Sequence, residues 1–122
     1  MAEANRSESS PPSRAGLRIT ASDDPSGGVL LTAIGALDYY SANGLVAAVQ
    51  RAFDAGAPGV TADLAGIGFS DSSGLAALIR AHKSALNGGR RFTVRNPDRN
   101  LSRIFALTGL HTVLDITHLP PP

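Results

Sequence analysis

The residues best suited to chemistry stand in one run, Asp63-Leu64-Ala65-Gly66-Ile67-Gly68-Phe69-Ser70-Asp71-Ser72-Ser73-Gly74-Leu75. It offers hydroxyls at Ser70, Ser72 and Ser73 and carboxylates at Asp63 and Asp71. Short polar side chains accept hydrogen bonds from the free N–H groups of a helix start, so Asp71, Ser72 and Ser73 are each suited to cap a following helix. A catalytic serine would also need a base beside it. The histidines are His82, His111 and His118, and His82 falls on an apolar helical stripe, as a packed residue does. Gly-x-Ser-x-Gly does not surround Ser70 or Ser72, so a hydrolase elbow is not formed. A Walker loop is missing, and Gly66-Ile67-Gly68 lacks the third glycine of a dinucleotide fingerprint. Three scattered histidines do not make a metal site, and the absence of cysteine excludes disulfides, thiolate nucleophiles and Cys-ligated zinc. The expectation is a non-enzymatic domain with no cofactor and no metal.

The elements that must position this run follow from periodicity. Leu17-Arg18-Ile19-Thr20 alternates as a half-buried strand does. Asp23-Asp24-Pro25-Ser26-Gly27-Gly28 is a turn cluster, and Val29 to Leu37 is a second strand, giving an antiparallel hairpin. Residues 41–56 take helical spacing, with Leu45, Val46, Val49 and Phe53 in one stripe, Ser41 able to cap and Gly56 able to stop. Val60 to Leu64 is a short strand. Residues 73–87 form a helix with Leu75, Leu78, Ile79, His82 and Leu86 on one side. Arg91 to Arg95 is a strand in which Phe92 and Val94 share a face. Leu101, Ile104, Phe105 and Thr108 mark a third helix closed by Gly109, and Val113 to Ile116 is a last short strand. The order β-β-α-β-α-β-α-β implies an α/β fold: a mixed sheet, N-terminal hairpin then parallel strands, with about three main helices packed on it. The hairpin also excludes a phospho-acceptor receiver domain, which needs a helix between its first two strands, although Asp23, Asp24 and Asp63 mimic its acidic cluster.

The 122 residues suffice for one core-forming domain. At 43% hydrophobic and 5% aromatic, that core must be aliphatic. Residues 1–15 are rich in Ser, Pro and Glu and read as a disordered tail. Residues 16–118 read as the domain and 119–122 as a C-terminal tail. No secretory signal and no apolar run of about 18 residues is present, so a soluble cytoplasmic protein is expected. The net charge is +1 but uneven: residues 1–79 carry four basic and eight acidic side chains, and residues 80–103 carry seven basic residues and one acid. The basic segment, Arg80 to Arg103, fits a solvated face, a nucleic acid or an acidic protein partner. No aromatic stacking platform accompanies it, and direct nucleic-acid binding is not expected.

Asp71-Ser72-Ser73-Gly74-Leu75, preceded by Asp63-Leu64 and Phe69, resembles the signature of the anti-sigma factor antagonists of the STAS family. Two further elements match in order: Gly35-Ala36-Leu37-Asp38, followed by Tyr39-Tyr40-Ser41-Ala42, and Ile104-Phe105-Ala106-Leu107-Thr108-Gly109-Leu110. The resemblance spans about residues 17–118. It implies that Ser72 is the phosphorylation site and that the Asp38 loop sits beside the serine loop in the partner surface; Ser70 is an alternative acceptor by its position next to Asp71, although the family pattern favours Ser72. The expected partner surface is Asp38, Tyr39, Tyr40, Ser70, Asp71, Ser73 and Gly74, the adjacent tyrosines being suited to an interface or, for one of them, to the core. The implied partners are an anti-sigma factor, often itself a serine kinase that uses ATP, and a serine phosphatase. Partner switching of this kind regulates sigma-dependent transcription, as in stress response or sporulation. No membrane partner is expected, and the chain is expected to be a monomer or weak dimer. The alternative is a STAS sensor that binds a small ligand or lipid and acts without phosphorylation, for which an enclosed apolar pocket near the Ser72 loop would be the mark. For Asp38 a plain turn or capping role stands beside the binding role. Ser73 is a second candidate for the helix cap.

Overall fold

The computed structural model describes residues 16–118, so the two expected tails lie outside the described residues. Strands β1 (Arg18–Asp23) and β2 (Val29–Leu37) pair antiparallel, from Arg18 opposite Ile34 to Asp23 opposite Val29. Helix α1 (Ala42–Asp54), β3 (Gly59–Ser70), α2 (Ser72–Asn87), β4 (Arg91–Arg95), α3 (Arg99–Thr108), a 3-10 turn (Leu110–Thr112) and β5 (Asp115–Thr117) follow. Strands β2 to β5 are parallel, and the sheet order is β1-β2-β3-β4-β5. The mixed α/β architecture with its opening hairpin is the one expected. Among the described residues no helix is long and apolar enough to cross a membrane.

The core lies between one sheet face and the helices. Ile19, Leu31, Ala33, Val60, Ala62, Leu64, Phe92 and Val94 are buried at alternate strand positions, as a one-sided sheet requires. Helix α1 covers them with Leu45, Ala48, Val49 and Phe53, while Val46 is only half-buried. Helix α2 differs from expectation. Its buried residues are Gly74, Ala77, Leu78, Ala81 and Ala85, and Leu86 is 63% exposed. Leu75, Ile79 and His82 sit half-buried on the flank. Small side chains let α2 approach α1 and the sheet closely, so its contact stripe is drawn in alanine, which hydrophobic periodicity weights weakly. At the C-terminus, the 3-10 turn takes up the residues before β5, so the last strand begins at Asp115 and Val113 is exposed.

Strand β3 is the longest departure. It runs twelve residues, where the sequence predicts a strand ending at Leu64. Opposite β2 it carries two irregularities, between Thr32 and Ile34 and between Gly35 and Ala36, each with one extra residue on β3. Such bulges bend a strand and re-aim its side chains. The buried positions change accordingly, from every second residue up to Leu64 to every third at Ile67 and Ser70. Period three is not a strand signature, so the segment reads as a loop. Its effect is to carry the chain inward at Ser70 and outward at Ser72.

Candidate functional site

The candidate site is assembled where β2 and β3 end and α1, α2 and α3 begin. Asp71 caps α2: its Oδ1 accepts from the Ser73 amide at 2.8 Å and the Gly74 amide at 3.3 Å. The Asp71 amide donates to the Leu37 carbonyl at 3.3 Å, tying this corner to the end of β2. Gly74 makes the approach possible. A Cβ there would lie 2.7 Å from the Leu37 carbonyl oxygen and 2.8 Å from its Cγ. Ser70 is 5% exposed, and Asn100 on α3 donates its Nδ2 to the Ser70 carbonyl and hydroxyl, both at 3.3 Å.

The loop after β2 is braced as tightly. Asp38 Oδ1 accepts from the Tyr40 amide at 3.0 Å and the Ser41 amide at 3.2 Å. The buried Ser41 hydroxyl donates to the Ala36 carbonyl at 2.8 Å and accepts from the Asp38 amide at 2.9 Å. Ser41 therefore does not cap α1, as its position predicts; it locks the loop behind the helix. Tyr39 and Tyr40 stand outside, 74% and 63% exposed, their rings edge to face with centroids 5.5 Å apart. Neither tyrosine is core.

Ser72, the first residue of α2, is exposed, and its hydroxyl makes no hydrogen bond among the described residues. Two corrections to the expected surface follow. Ser70 and Gly74 are buried and shape the corner from within, so the Ser70 hydroxyl is covered and Gly74 adds only backbone. Ser73 is not the helix cap; Asp71 is. Asp63 lies in β3 and accepts from the Ala65 amide at 3.0 Å, a local contact. Asn100 was not legible as part of the site: a side chain thirty residues downstream meets Ser70 only through the packing of α3.

The electrostatics at Ser72 also depart from a bare helix start. Free N–H groups at a helix N-terminus favour an anion. Here Asp71 already occupies the Ser73 and Gly74 amides. A serine–histidine pair is not assembled at the site. His82 is ten residues along α2, about 15 Å at 1.5 Å per residue, and His111 Nδ1 lies 3.1 Å from the Phe105 carbonyl oxygen. The described cavities lie away from Ser72. One, of about 260 Å³, is lined by Pro97, Ser102, Phe105, His111, Ile116 and His118, between α3 and β5. The other, of about 390 Å³, opens on the sheet.

The family model described as "Mlab, STAS domain" matches residues 21–117. The chain belongs to the STAS domain family. Its fold is shared by solved structures of low sequence identity. The phosphorylated form of the Bacillus cell fate determinant SpoIIAA is 17% identical, with a TM-score of 0.67 over 84% of this chain and 91% of that one. An anti-sigma factor antagonist from Mycobacterium paratuberculosis is 22% identical, with a TM-score of 0.70 over 88% and 90%. An anti-sigma-factor antagonist (STAS) domain protein from Planctomyces limnophilus is 16% identical, with a TM-score of 0.69 over 84% and 91%. No curated protein matches the sequence. Within this STAS domain the bulged end of β3, the capped start of α2 and the tyrosine loop form one continuous corner.

Proposed function

We propose that this STAS domain is a cytoplasmic anti-sigma factor antagonist, switched off by phosphorylation of Ser72. The observation that carries the reading is a division of labour at the corner. Asp71, Ser70, Gly74, Asp38 and Ser41 are all spent on internal contacts. Ser72, Tyr39, Tyr40 and Phe69 stand exposed around it. A rigid frame that presents one free hydroxyl beside three exposed aromatic rings suits a protein interface, where aromatic residues are favoured. The partner is an anti-sigma factor that is itself a serine kinase; it supplies the ATP, and this chain needs no cofactor and catalyses nothing. A serine phosphatase resets the switch.

Phosphorylation adds about −1.5 to −2 charges. Those charges arrive next to Asp71, whose carboxylate already holds the helix-start amides. The dianion therefore projects into the partner's space, where it is desolvated or repelled. A loss of about 3 kcal/mol in binding lowers affinity roughly a hundredfold. The fold is untouched, because no buried contact includes the Ser72 hydroxyl.

Peptide mass spectrometry tests this directly. The full chain and Ser72→Ala are incubated with ATP and the host's candidate anti-sigma serine kinases. The expected result is a single shift of about 80 Da on Ser72, absent in the variant, with binding to the same kinase weakened and the far-UV circular dichroism unchanged. No shift with any candidate, or a shift that persists in Ser72→Ala, removes Ser72 from the mechanism.

A further inference from the structure

The helix-free face of the sheet carries a second feature that the Ser72 switch does not use. Strands β3, β4 and β5 bring their outward residues into register there. Thr61 pairs with Thr93 and Thr93 with Asp115; in the next row Arg95 pairs with Thr117; Arg91 lies opposite Gly59. These residues alternate with the buried Val60, Ala62, Phe92 and Val94, so they share the face away from the core. The result is a polar floor under a cavity of about 390 Å³.

The cavity is walled by the β1–β2 turn at Ser26 and Gly27. That turn is pressed onto β3: Gly28 has φ +98°, and a Cβ on it would lie 2.5 Å from the Gly59 carbonyl oxygen. The wall is further held by Asp24, which accepts from the Ser26 amide at 3.1 Å and reaches Arg95 Nη2 at 3.7 Å. One edge of the Arg95 guanidinium is thereby taken. Its Nε is buried and has no hydrogen-bond partner among the described residues. A buried, charged donor left without an acceptor is unusual in a folded protein and calls for an explanation. Arg91 is a second guanidinium on the same floor, exposed and at the far end of β4. Asp115 is engaged by the Thr93 hydroxyl at 2.9 Å, which leaves it able to accept from a ligand hydroxyl as well.

We propose that this cavity is a binding site for a small hydroxylated anion, a phosphorylated or carboxylated polyol. The anionic group meets the outer faces of the Arg91 and Arg95 guanidinium groups that line the cavity, and the hydroxyls meet Thr117 and Asp115. Guanidinium groups pair with phosphate and carboxylate through directed donors, which lysine cannot match. The volume is that of an ordinary small-molecule site. Among the described residues no aromatic side chain lines it, so a nucleobase finds no stacking surface. The site stands at the opposite end of β3 from Ser72 and does not depend on the phosphorylation reading.

The test is a titration of the full, unphosphorylated chain, followed by amide NMR, with inorganic phosphate, glucose 6-phosphate and citrate. It requires no protein partner, so its outcome is separate from that of the Ser72 experiment. The expected result is a saturable shift centred on Thr61, Thr93, Arg95 and Thr117, with a Kd of about 1 mM or tighter for glucose 6-phosphate or citrate. Inorganic phosphate alone should bind more weakly, since it offers the polyol contacts nothing. Arg95→Gln and the exposed Arg91→Gln should each weaken binding about tenfold. Arg91→Gln keeps the test decisive if Arg95→Gln fails to fold. No saturable shift with any of the three probes, or a shift that both arginine variants leave unchanged, overturns the proposal.

Discussion

At its C-terminal end β3 runs into a frame of backbone contacts: Asp71 amide to Leu37 carbonyl, Asp71 carboxylate to helix amides, Gly74 against Leu37. At its N-terminal end it meets mostly side chains: Thr61, Thr93, Arg95, Asp24 and Asp115. The first end presents one exposed hydroxyl on a scaffold whose other polar groups are consumed. The second keeps a buried guanidinium Nε without an acceptor. A scaffold fixed by steric fit and caps should respond to changes of volume and to loss of its cap. A polar floor fixed by a carboxylate and a guanidinium should respond to pH.

The largest effect expected from that contrast is steric. Gly74→Ala places a methyl group against the Leu37 carbonyl, and overpacking of this kind costs about 1–3 kcal/mol. A urea midpoint indistinguishable from the parent would mean the corner is looser than its geometry. Next comes the cap. Asp71→Ala leaves the Ser73 and Gly74 amides without their acceptor and should cost about 0.5–2 kcal/mol, with the Ser72 loop exchanging its amides faster in hydrogen-exchange experiments. Asp71→Asn should recover most of that loss, because an amide oxygen also caps.

The other end is read by acid. The Ser26 amide, helped by the Ser26 and Thr61 hydroxyls and by Arg95, holds the Asp24 carboxyl below its ordinary value of 3.8, against the opposing effect of burial. A carboxylate whose folded pKa is depressed stabilises fully above its unfolded pKa, and that stability fades as pH falls through the folded value. Thermal stability should therefore drop below about pH 4, and Asp24→Asn should flatten that part of the profile. An unchanged profile in Asp24→Asn would show that Asp24 adds nothing at this end. The smallest expected stability effect belongs to the tyrosines. Tyr39→Ala and Tyr40→Ala should each stay within about 0.5 kcal/mol of the parent, as exposed substitutions do. Under the proposed function the same changes should weaken binding to the anti-sigma kinase; a stability loss instead would place a ring in the fold and not in an interface.

Much of this architecture is written in local pattern. The alternation of Leu17 to Thr20, the apolar run from Val29 to Leu37, the stripe of Leu45, Val49 and Phe53 and the Phe92/Val94 pair each identify an element without reference to the others. The Asp-Ser-Ser-Gly run could also be recognised as the chain's distinctive segment, and the order of elements around it as that of a STAS domain. The departures share a cause. Large apolar residues mark a face on Leu75, Leu78, Ile79, His82 and Leu86 of α2; the fold instead buries Ala77, Leu78, Ala81 and Ala85, because close helix contact selects for small side chains. The end of β3 carries no strand pattern because bulges replace period two by period three.

What the sequence by itself determined was the succession of strands and helices and the identity of the exposed serine's segment, since both depend on neighbours a few residues apart. What only the tertiary structure decided was which polar groups are consumed and which are left over. Ser70 met Asn100, and Arg95 was drawn to Asp24 with its Nε buried and unpartnered. Those outcomes depend on groups brought together from distant parts of the chain, whose hydrogen-bonding capacity is allotted only when the elements pack.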